Sequence, residues 1–371
     1  MTTILMSSGE ASGDRMAAMV LRALGGSVRA FGMGGQASVA AGLREVASRD
    51  IHGLMGVVGV ATRWRAVLRS FRDLTGWARA VRPAAAVLFG FTTFHELAGK
   101  VLRRQGTPVL WCAAPQVWAW RESRLRTMRD SVDRLAVILP FEQPLWAAHG
   151  YDVRYVGHPA MDQCAWGGGR VRRLAVLCGS REHEARSLGP LLTDAAARWV
   201  ALRPDWSADM LLAPSLRPAT KAWLRQMALQ SGLAVVETPT PSGAAGLVET
   251  YEAALCASGT ASLEAAISGV PPVVVYRTNR PLRLAARLML RTRDIALPNV
   301  LLGRRAFPEI TADHPAPADV MQALDAVMDN RARHLAACAE TRRILQLQDG
   351  STFGDRVGRM VAELVRGRGA G

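Results

Sequence analysis

The 371-residue sequence has no Cys-x-x-Cys pair, no low-complexity segment and no short-period repeat. Nor does any apolar run approach the ~20 residues needed to span a bilayer. The five cysteines (Cys112, Cys164, Cys178, Cys256 and Cys338) are scattered without metal-ligand spacing. They read as small core residues of a reducing compartment. The start, TTILMSS, reads as a strand and not as a signal peptide, so the expectation is a cytoplasmic chain, soluble or peripheral to a membrane. No GxxxxGK[ST] loop occurs, and no GxGxxG lies at the right distance from an acidic residue, which disfavours P-loop ATP hydrolysis and dinucleotide redox chemistry. Acidic residues are also scarce. Asp and Glu total 31 against 46 Lys and Arg, a net charge of +15 carried almost wholly by arginine. That surplus suits a nucleic acid, an acidic membrane surface or a phosphorylated substrate. Nucleic acid is the weakest of the three, because the arginines are spread over many helical segments with no aromatic-interleaved strand platform.

What the chain does have is length for two domains and 49% hydrophobic residues, enough for real cores. Short β-branched or apolar runs alternate with helical patterns from residue 2 to about residue 157. The alternation restarts at RLAVLCGS, after Trp166 and Gly167-Gly168-Gly169, which read as the linker. The expected fold class is α/β, with two successive Rossmann-like doubly wound domains facing a central cleft. The boundaries fall at 1–162 and 163–345, and a helical tail over 346–371 is available to pack back on the first domain. Residues 63–80 fit a helix with Trp64, Val67, Leu68, Phe71, Leu74 and Trp77 on one stripe and five flanking arginines. Such a helix suits a membrane interface, although a core helix with a solvated basic face is the commoner case. Residues 281–291 read as another basic helix, and LPNVLLGRRAFPEI at 297–310 reads as a loop.

Residues 256–277, CASGTASLEAAISGVPPVVVYR, form the most informative stretch. The run to Ala257 closes a strand, Ser258-Gly259-Thr260 is a small-residue turn, 261–267 is a helix, and Gly269 with Pro271-Pro272 stops it before another strand. A helix entered through Ser-Gly-Thr offers free N–H groups and a positive dipole end to a phosphate. Glu264, one turn further in, suits the hydroxyls of a ribose. Gly179-Ser180-Arg181 repeats the same strand-end arrangement about eighty residues earlier, with a guanidinium fork added. Two such loops can grip one diphosphate. An ordinary capped strand–helix unit remains the alternative for either loop alone. At the N-terminal strand end, Gly9 and Gly13 allow close approach, Ser12 can cap, and Glu10 and Asp14 supply two carboxylates.

These motifs resemble the lipid-A-disaccharide synthase family of inverting GT-B glycosyltransferases, and they run in order along the whole chain. They are SSGEASGD at 7–14, GMGG at 32–35, GLMGVVGV at 53–60, PQVWAW at 115–120, LPFE at 139–142, VGHPAMD at 156–162, GSREHE at 179–184, SGTASLEAAISGVPPVVVYR at 258–277 and LPNVLLGRRAFPE at 297–309. The resemblance implies transfer of 2,3-diacylglucosamine from UDP to the 6-hydroxyl of 2,3-diacylglucosamine 1-phosphate at the inner face of the inner membrane. It implies no metal and no cofactor, and it is compatible with a homodimer. It places Gly179, Ser180, Arg181, Ser258, Gly259 and Thr260 on the diphosphate and Glu264 on the ribose. Asn299 and Glu309 also fall on the donor side, and Ser8, Glu10 and Ser12 on the acceptor side.

One segment departs from the family. Where the family shows I-D-x-P-D-F-N at a strand end, this chain has Phe89-Gly90-Phe91-Thr92-Thr93-Phe94-His95, so Gly90 and Thr93 replace two carboxylates. Gly59 stands where the family has a glutamate. The second of those aspartates is the family's expected base, and a threonine cannot serve as one. His95, Glu96 and Glu10 are the candidate replacements. The same departure also fits two other proteins: a paralogue acting on a different lipid, or a non-catalytic UDP-sugar-binding homologue.

Overall fold

The computed structural model describes residues 1–47, 64–118, 124–167, 169, 171–238, 244–257, 259–278 and 294–369. The sequence-predicted helix over 281–291, Ser258 and the segment containing Gly59 lie outside these residues.

Alternating apolar runs become the strands of two parallel sheets. The first sheet contains β1 (Thr2–Ser8), β2 (Val28–Met33), β3 (Arg44–Glu45), β4 (Ala86–Phe89), β5 (Val109–Cys112), β6 (Arg134–Val137) and β7 (Asp152–Tyr155), in the order β3-β2-β1-β4-β5-β6-β7. Helices α1 (Ala11–Leu24), α2 (Gln36–Ala40), α3 (Trp64–Val81), α4 (Thr92–Arg104), α5 (Arg124–Thr127) and α6 (Glu142–Ala147) accompany it. Ile4, Leu5 and Met6 of β1 and all of β4 are without exposed surface. Strands covered on both faces need apolar residues at consecutive positions and not only at alternate ones. Leu5, Ala86 and Leu88 face a core shared with α3 and α4, while Ile4, Met6, Val87 and Phe89 face one shared with α1.

The second sheet contains β8 (Arg173–Leu177), β9 (Ser207–Leu212), β10 (Ala234–Glu237), β11 (Ala253–Ala257), β12 (Pro272–Arg277) and β13 (Glu309–Ala312), in the order β10-β9-β8-β11-β12-β13. Its helices are α7 (Glu182–Ala201), α8 (Pro218–Gln230), α9 (Thr260–Ile267), α10 (Leu297–Leu302), α11 (Pro317–Asp329) and α12 (Arg331–Leu345). Each sheet runs outward from its first strand, reverses, and continues on the other side, so the reversal lies between β1 and β4 in one and between β8 and β11 in the other. Ligands of open α/β sheets collect at the C-terminal ends of such strand pairs, where the flanking helices part.

The chain divides into one unit of Met1–Asp162 with Leu347–Gly371 and a second of Gln163–Gln346. The last helix, α13 (Phe353–Gly369), belongs to the first unit, where Phe353, Val357 and Val361 are buried in the core beside α1. Trp166 and Gly167, read as the linker, lie within the second unit. Gly167 N–H donates to Ser268 O at 2.8 Å, and the Trp166 ring lies against Gly269, so both are docked on the second unit. The segment read as a loop at 297–310 instead contains α10 and the start of β13. Pro298 occupies the first helical turn, where a missing N–H costs nothing, and Glu309 caps it through the amides of Ile295 (2.9 Å) and Ala296 (3.0 Å).

Candidate active site

In the second unit, β8 and β11 pair in parallel with Leu177 opposite Cys256, so the turns that follow them open on the same edge. Both turns need glycine. Gly179 has φ 103° and Gly259 φ 132°, and a Cβ on Gly179 would stand 2.9 Å from the Glu184 side chain. Arg181 precedes α7 in extended conformation, and Gly259 precedes α9. Two helix N-termini therefore sit on adjacent strands with no bulky side chain on either glycine, an arrangement suited to an anion. The Arg181 guanidinium is half exposed and donates to Glu184 Oε1 at 2.7 Å. The turn after β9 braces this loop: Ser215 Oγ donates to Ser180 O at 2.8 Å, and Glu182 accepts from Arg217 N at 2.6 Å. Ser215 and Glu182 were not singled out from the sequence, since nothing local shows that a turn thirty-five residues away backs the loop.

Glu264 lies on α9 but is only 5% exposed, and its charge helps push up the thiols of Cys164 and Cys256, after the larger effect of burial. Asn299 has no exposed surface. Its Nδ2 donates to Phe307 O (2.9 Å) and Glu309 Oε1 (2.7 Å), and its Oδ1 accepts from the amides of Ala306 and Phe307 at 2.9 Å each. Asn299 and Glu309 are brought together, then, but to hold each other and the backbone from Ile295 to Phe307.

In the first unit, β1 and β4 pair with Ser8 opposite Phe89, which brings the turns at Gly9-Glu10 and Gly90-Phe91 together. Glu10 is the partly exposed residue preceding α1, and Ser12 lies partly exposed in the first turn. Ser8 is buried beneath α1 with its Oγ unpaired among the described residues. Asp14, read as a second strand-end acid, instead caps α2, accepting from the amides of Gly35 (2.7 Å), Ala37 (2.9 Å) and Ser38 (3.1 Å). Gly90 (φ 55°) and Phe91 (φ 48°) are both left-handed. For a phenylalanine this costs on the order of 1–3 kcal/mol. The Phe91 ring covers Gly9 so closely that a Cβ there would stand 2.3 Å from it.

The other two candidate bases are not brought to this corner as exposed groups. His95 has no exposed surface; its Nε2 is 2.8 Å from Ser7 Oγ and its Nδ1 2.8 Å from Gly90 O. The helical period carries position 95 inward onto the sheet. Glu96, one position on, turns toward Thr127 Oγ1 (3.3 Å) and Lys100 Nζ (3.9 Å), toward α5 and along its own helix.

A model of the lipid-A-disaccharide synthetase family matches residues 4–353. The chain belongs to this family. It is 30% identical over 380 residues to the lipid-A-disaccharide synthase of Syntrophotalea carbinolica, an alignment covering 98% of this chain and 95% of that one. To the synthase of Myxococcus xanthus it is 34% identical over 336 residues, with 86% of each covered. Among solved structures the fold is similar to a putative UDP-N-acetylglucosamine 2-epimerase from Listeria monocytogenes, with TM-score 0.63, 14% identity, and 100% and 97% of the chains covered. It is likewise similar to the calicheamicin glycosyltransferase CalG4, with TM-score 0.62, 17% identity, and 100% and 99% covered. The fold is the two-domain α/β GT-B type, and the protein is a glycosyltransferase. Near full-length membership in the synthetase family favours the synthase over a paralogue or a non-catalytic homologue.

Two acids mark how differently this synthetase-family chain treats its two sheet edges. After β6, Glu142 is almost wholly buried; its Oε1 accepts from Trp118 Nε1 and its Oε2 from Leu139 N, both at 3.0 Å. Burial outweighs those donors and pushes its pKa up to about 7. After β8, burial also acts to raise Glu182, but hydrogen bonds from Arg217 and Thr220 hold it below the usual carboxylate range.

Proposed function

We propose that the protein moves 2,3-diacylglucosamine from UDP to the 6-hydroxyl of 2,3-diacylglucosamine 1-phosphate, with inversion at the anomeric carbon. The observation that carries this reading is the pair of glycine turns, at Gly179 and Gly259, on neighbouring strands of the second sheet. In it, Gly179, Ser180, Arg181, Gly259 and Thr260 hold the diphosphate, and Ser258 belongs with them by its place in the motif. Arg181 and the two helix N-termini stabilise the negative charge that builds on UDP as the anomeric C–O bond breaks. Glu264, Asn299 and Glu309 shape the donor side, the last two by holding the backbone before α10. On the acceptor side, Ser8 and Ser12 flank Glu10, whose carboxylate takes the proton of the attacking hydroxyl as the new C–O bond forms. Glu10 is preferred because it follows β1 at the β1–β4 corner and is partly exposed, whereas His95 is buried and Glu96, also partly exposed, turns toward α5.

The same reading places the protein at the cytoplasmic face of the inner membrane. No helix among the described residues is long and apolar enough to cross a bilayer. Yet Trp64 (55%) and Leu68 (38%) of α3 and Leu97 (54%) of α4 are exposed, and Arg65, Arg69 and Arg72 are exposed on α3. Bulky apolar residues among arginines suit an anionic lipid interface. The test is a mass-resolved transfer assay with UDP-2,3-diacylglucosamine and 2,3-diacylglucosamine 1-phosphate on anionic vesicles. A β-1,6 disaccharide with free UDP is the expected product. No product, with UDP-sugar binding intact in the wild type and lost in Arg181→Ala, would leave the donor grip standing and remove the proposed acceptor.

A further inference from the structure

A buried hydrogen-bonded chain crosses the β1–β4 corner beneath the candidate acceptor site, and the proposed transfer uses none of its atoms. Its centre is His95. The Gly90 carbonyl can only accept, so Nδ1, 2.8 Å away, carries the imidazole proton. Nε2 is then a lone pair and accepts the Ser7 hydroxyl at 2.8 Å, joining residues 88 positions apart. The rings of Phe91, Phe94 and Trp111 surround the imidazole. Burial lowers its pKa to about 4, so the ring is neutral at physiological pH. Both nitrogens are occupied and neither reaches the surface, whereas a base must come within hydrogen-bond reach of its substrate.

What the imidazole does hold is the backbone. It ties the carbonyl of Gly90, on the end of β4, to the side chain of Ser7, on the end of β1. The tie fixes two successive left-handed residues, and the second of them lays its ring over Gly9, immediately before Glu10. We infer that His95 is a positioning residue, which through Ser7 and Gly90 pins the Phe91 corner against Gly9 and so fixes the backbone that presents Glu10. An asparagine here would place an amide N–H where Nδ1 stands, so His95→Asn keeps the donor to Gly90 O.

This inference rests on the proposed role of Glu10, and two readouts separate its failure from failure of that role. The first needs no substrate: nitrogen NMR of the wild-type protein. A neutral Nδ1–H tautomer that does not titrate from about pH 8 to about pH 5 is expected. A ring titrating within that range would overturn the buried tie whatever the protein transfers. Amide exchange at Gly90 and Phe91 is expected to quicken in His95→Ala and stay slow in His95→Asn. Equal exchange in both variants would likewise overturn it.

The second readout is transfer. His95→Asn is expected to keep kcat/KM within ~3-fold of wild type with the acid limb of its pH profile unmoved, since the donor to Gly90 O survives. His95→Ala is expected to lower kcat/KM for the acceptor by ~10²-fold, the scale of a misplacement near 1 Å, and to leave UDP-sugar binding unchanged. If His95→Asn instead lost ~10²-fold or more in kcat together with the acid limb, His95 would be the base and not its support.

Discussion

At the edge made by β8 and β11 the left-handed backbone falls on Gly179 and Gly259; after β4 and β5 it falls on Gly90 but also on Phe91 and Ala113. Read outward from β1 and from β8, the strand order is the same in both sheets except that the first carries one more strand, β7. The glycine edge keeps its turns bare, so helix N-termini and Arg181 face whatever binds there. The other edge encloses its turn with Phe91, Phe94 and Trp111 around His95 and buries Glu142 close to neutrality. One topology thus yields bare turns from small residues and an apolar-walled corner from large ones. The difference lies in side-chain volume at strand ends, not in the path of the chain.

The largest effect should come from the corner's partly exposed acid, Glu10. Glu10→Gln keeps the size and removes the base, so kcat should fall by ~10²–10⁴-fold while UDP-sugar affinity is unchanged. Steady-state transfer kinetics and calorimetry with the donor measure the two quantities. A Glu10→Gln enzyme at the wild-type rate would move the proton transfer to another group and leave the β1–β4 corner a wall only.

Next in size is the bare glycine turn. Alanine at Gly179 meets both a φ of 103° and a Cβ contact of 2.9 Å with Glu184, so the turn must distort. Donor affinity should fall by ~10–100-fold, about 1–3 kcal/mol of strain moved into the site. Gly232→Ala is the control, because it too is left-handed (φ 78°) but closes α8 in open space. It should lower the melting temperature slightly and leave donor affinity alone. Equal donor affinity in Gly179→Ala and Gly232→Ala would erase the distinction between a turn built for an anion and one built only for folding.

Much of this contrast is already legible in sequence. Strand runs ending in Gly-Ser-Arg or Ser-Gly-Thr announce both the element and its edge, although an ordinary capped strand–helix unit shows the same pattern. The partners of polar side chains are not legible. Asp14 looks like a site acid until α2 is seen to start at its carboxylate, and nothing in the spacing of Asn299 and Glu309 shows that they are bonded to each other. His95 shows the limit most clearly. Its position beside a rewritten strand end suggests a base, but the helical period buries it and the β1–β4 register supplies Ser7. Such partnerships are set by strand register and helix rotation across long sequence separations, which local spacing does not encode.

The smallest effect concerns the two acids and is read as a slope. Glu142 has its pKa raised from an ordinary 4.5 to about 7, first by burial. A raised folded pKa means that the folded state holds the proton more tightly. The stabilising contribution is complete below about pH 4.5 and is lost as pH rises through about 7. His95 and His158, both lowered to about 4 by burial, act in the opposite sense: their contribution is complete above 6.5 and is lost as pH falls through about 4. The histidines are present in both wild type and Glu142→Gln, so they cancel when the two proteins are compared at each pH. Relative to wild type, Glu142→Gln should therefore gain stability as pH rises from about 4.5 to about 7, by at most ~1.4 kcal/mol per unit. Melting temperatures across that range measure the slope. The matching variant on the other edge, Glu182→Gln, has the opposite sign in a lower window: a lowered folded pKa gives stability that is complete above about pH 4.5 and lost as pH falls below it, so Glu182→Gln changes little relative to wild type between about pH 4.5 and about 7. A Glu142→Gln comparison as flat as that of Glu182→Gln from about pH 4.5 to about 7 would mean that Glu142 is ionised in the folded protein and that both sheet edges treat their acids alike.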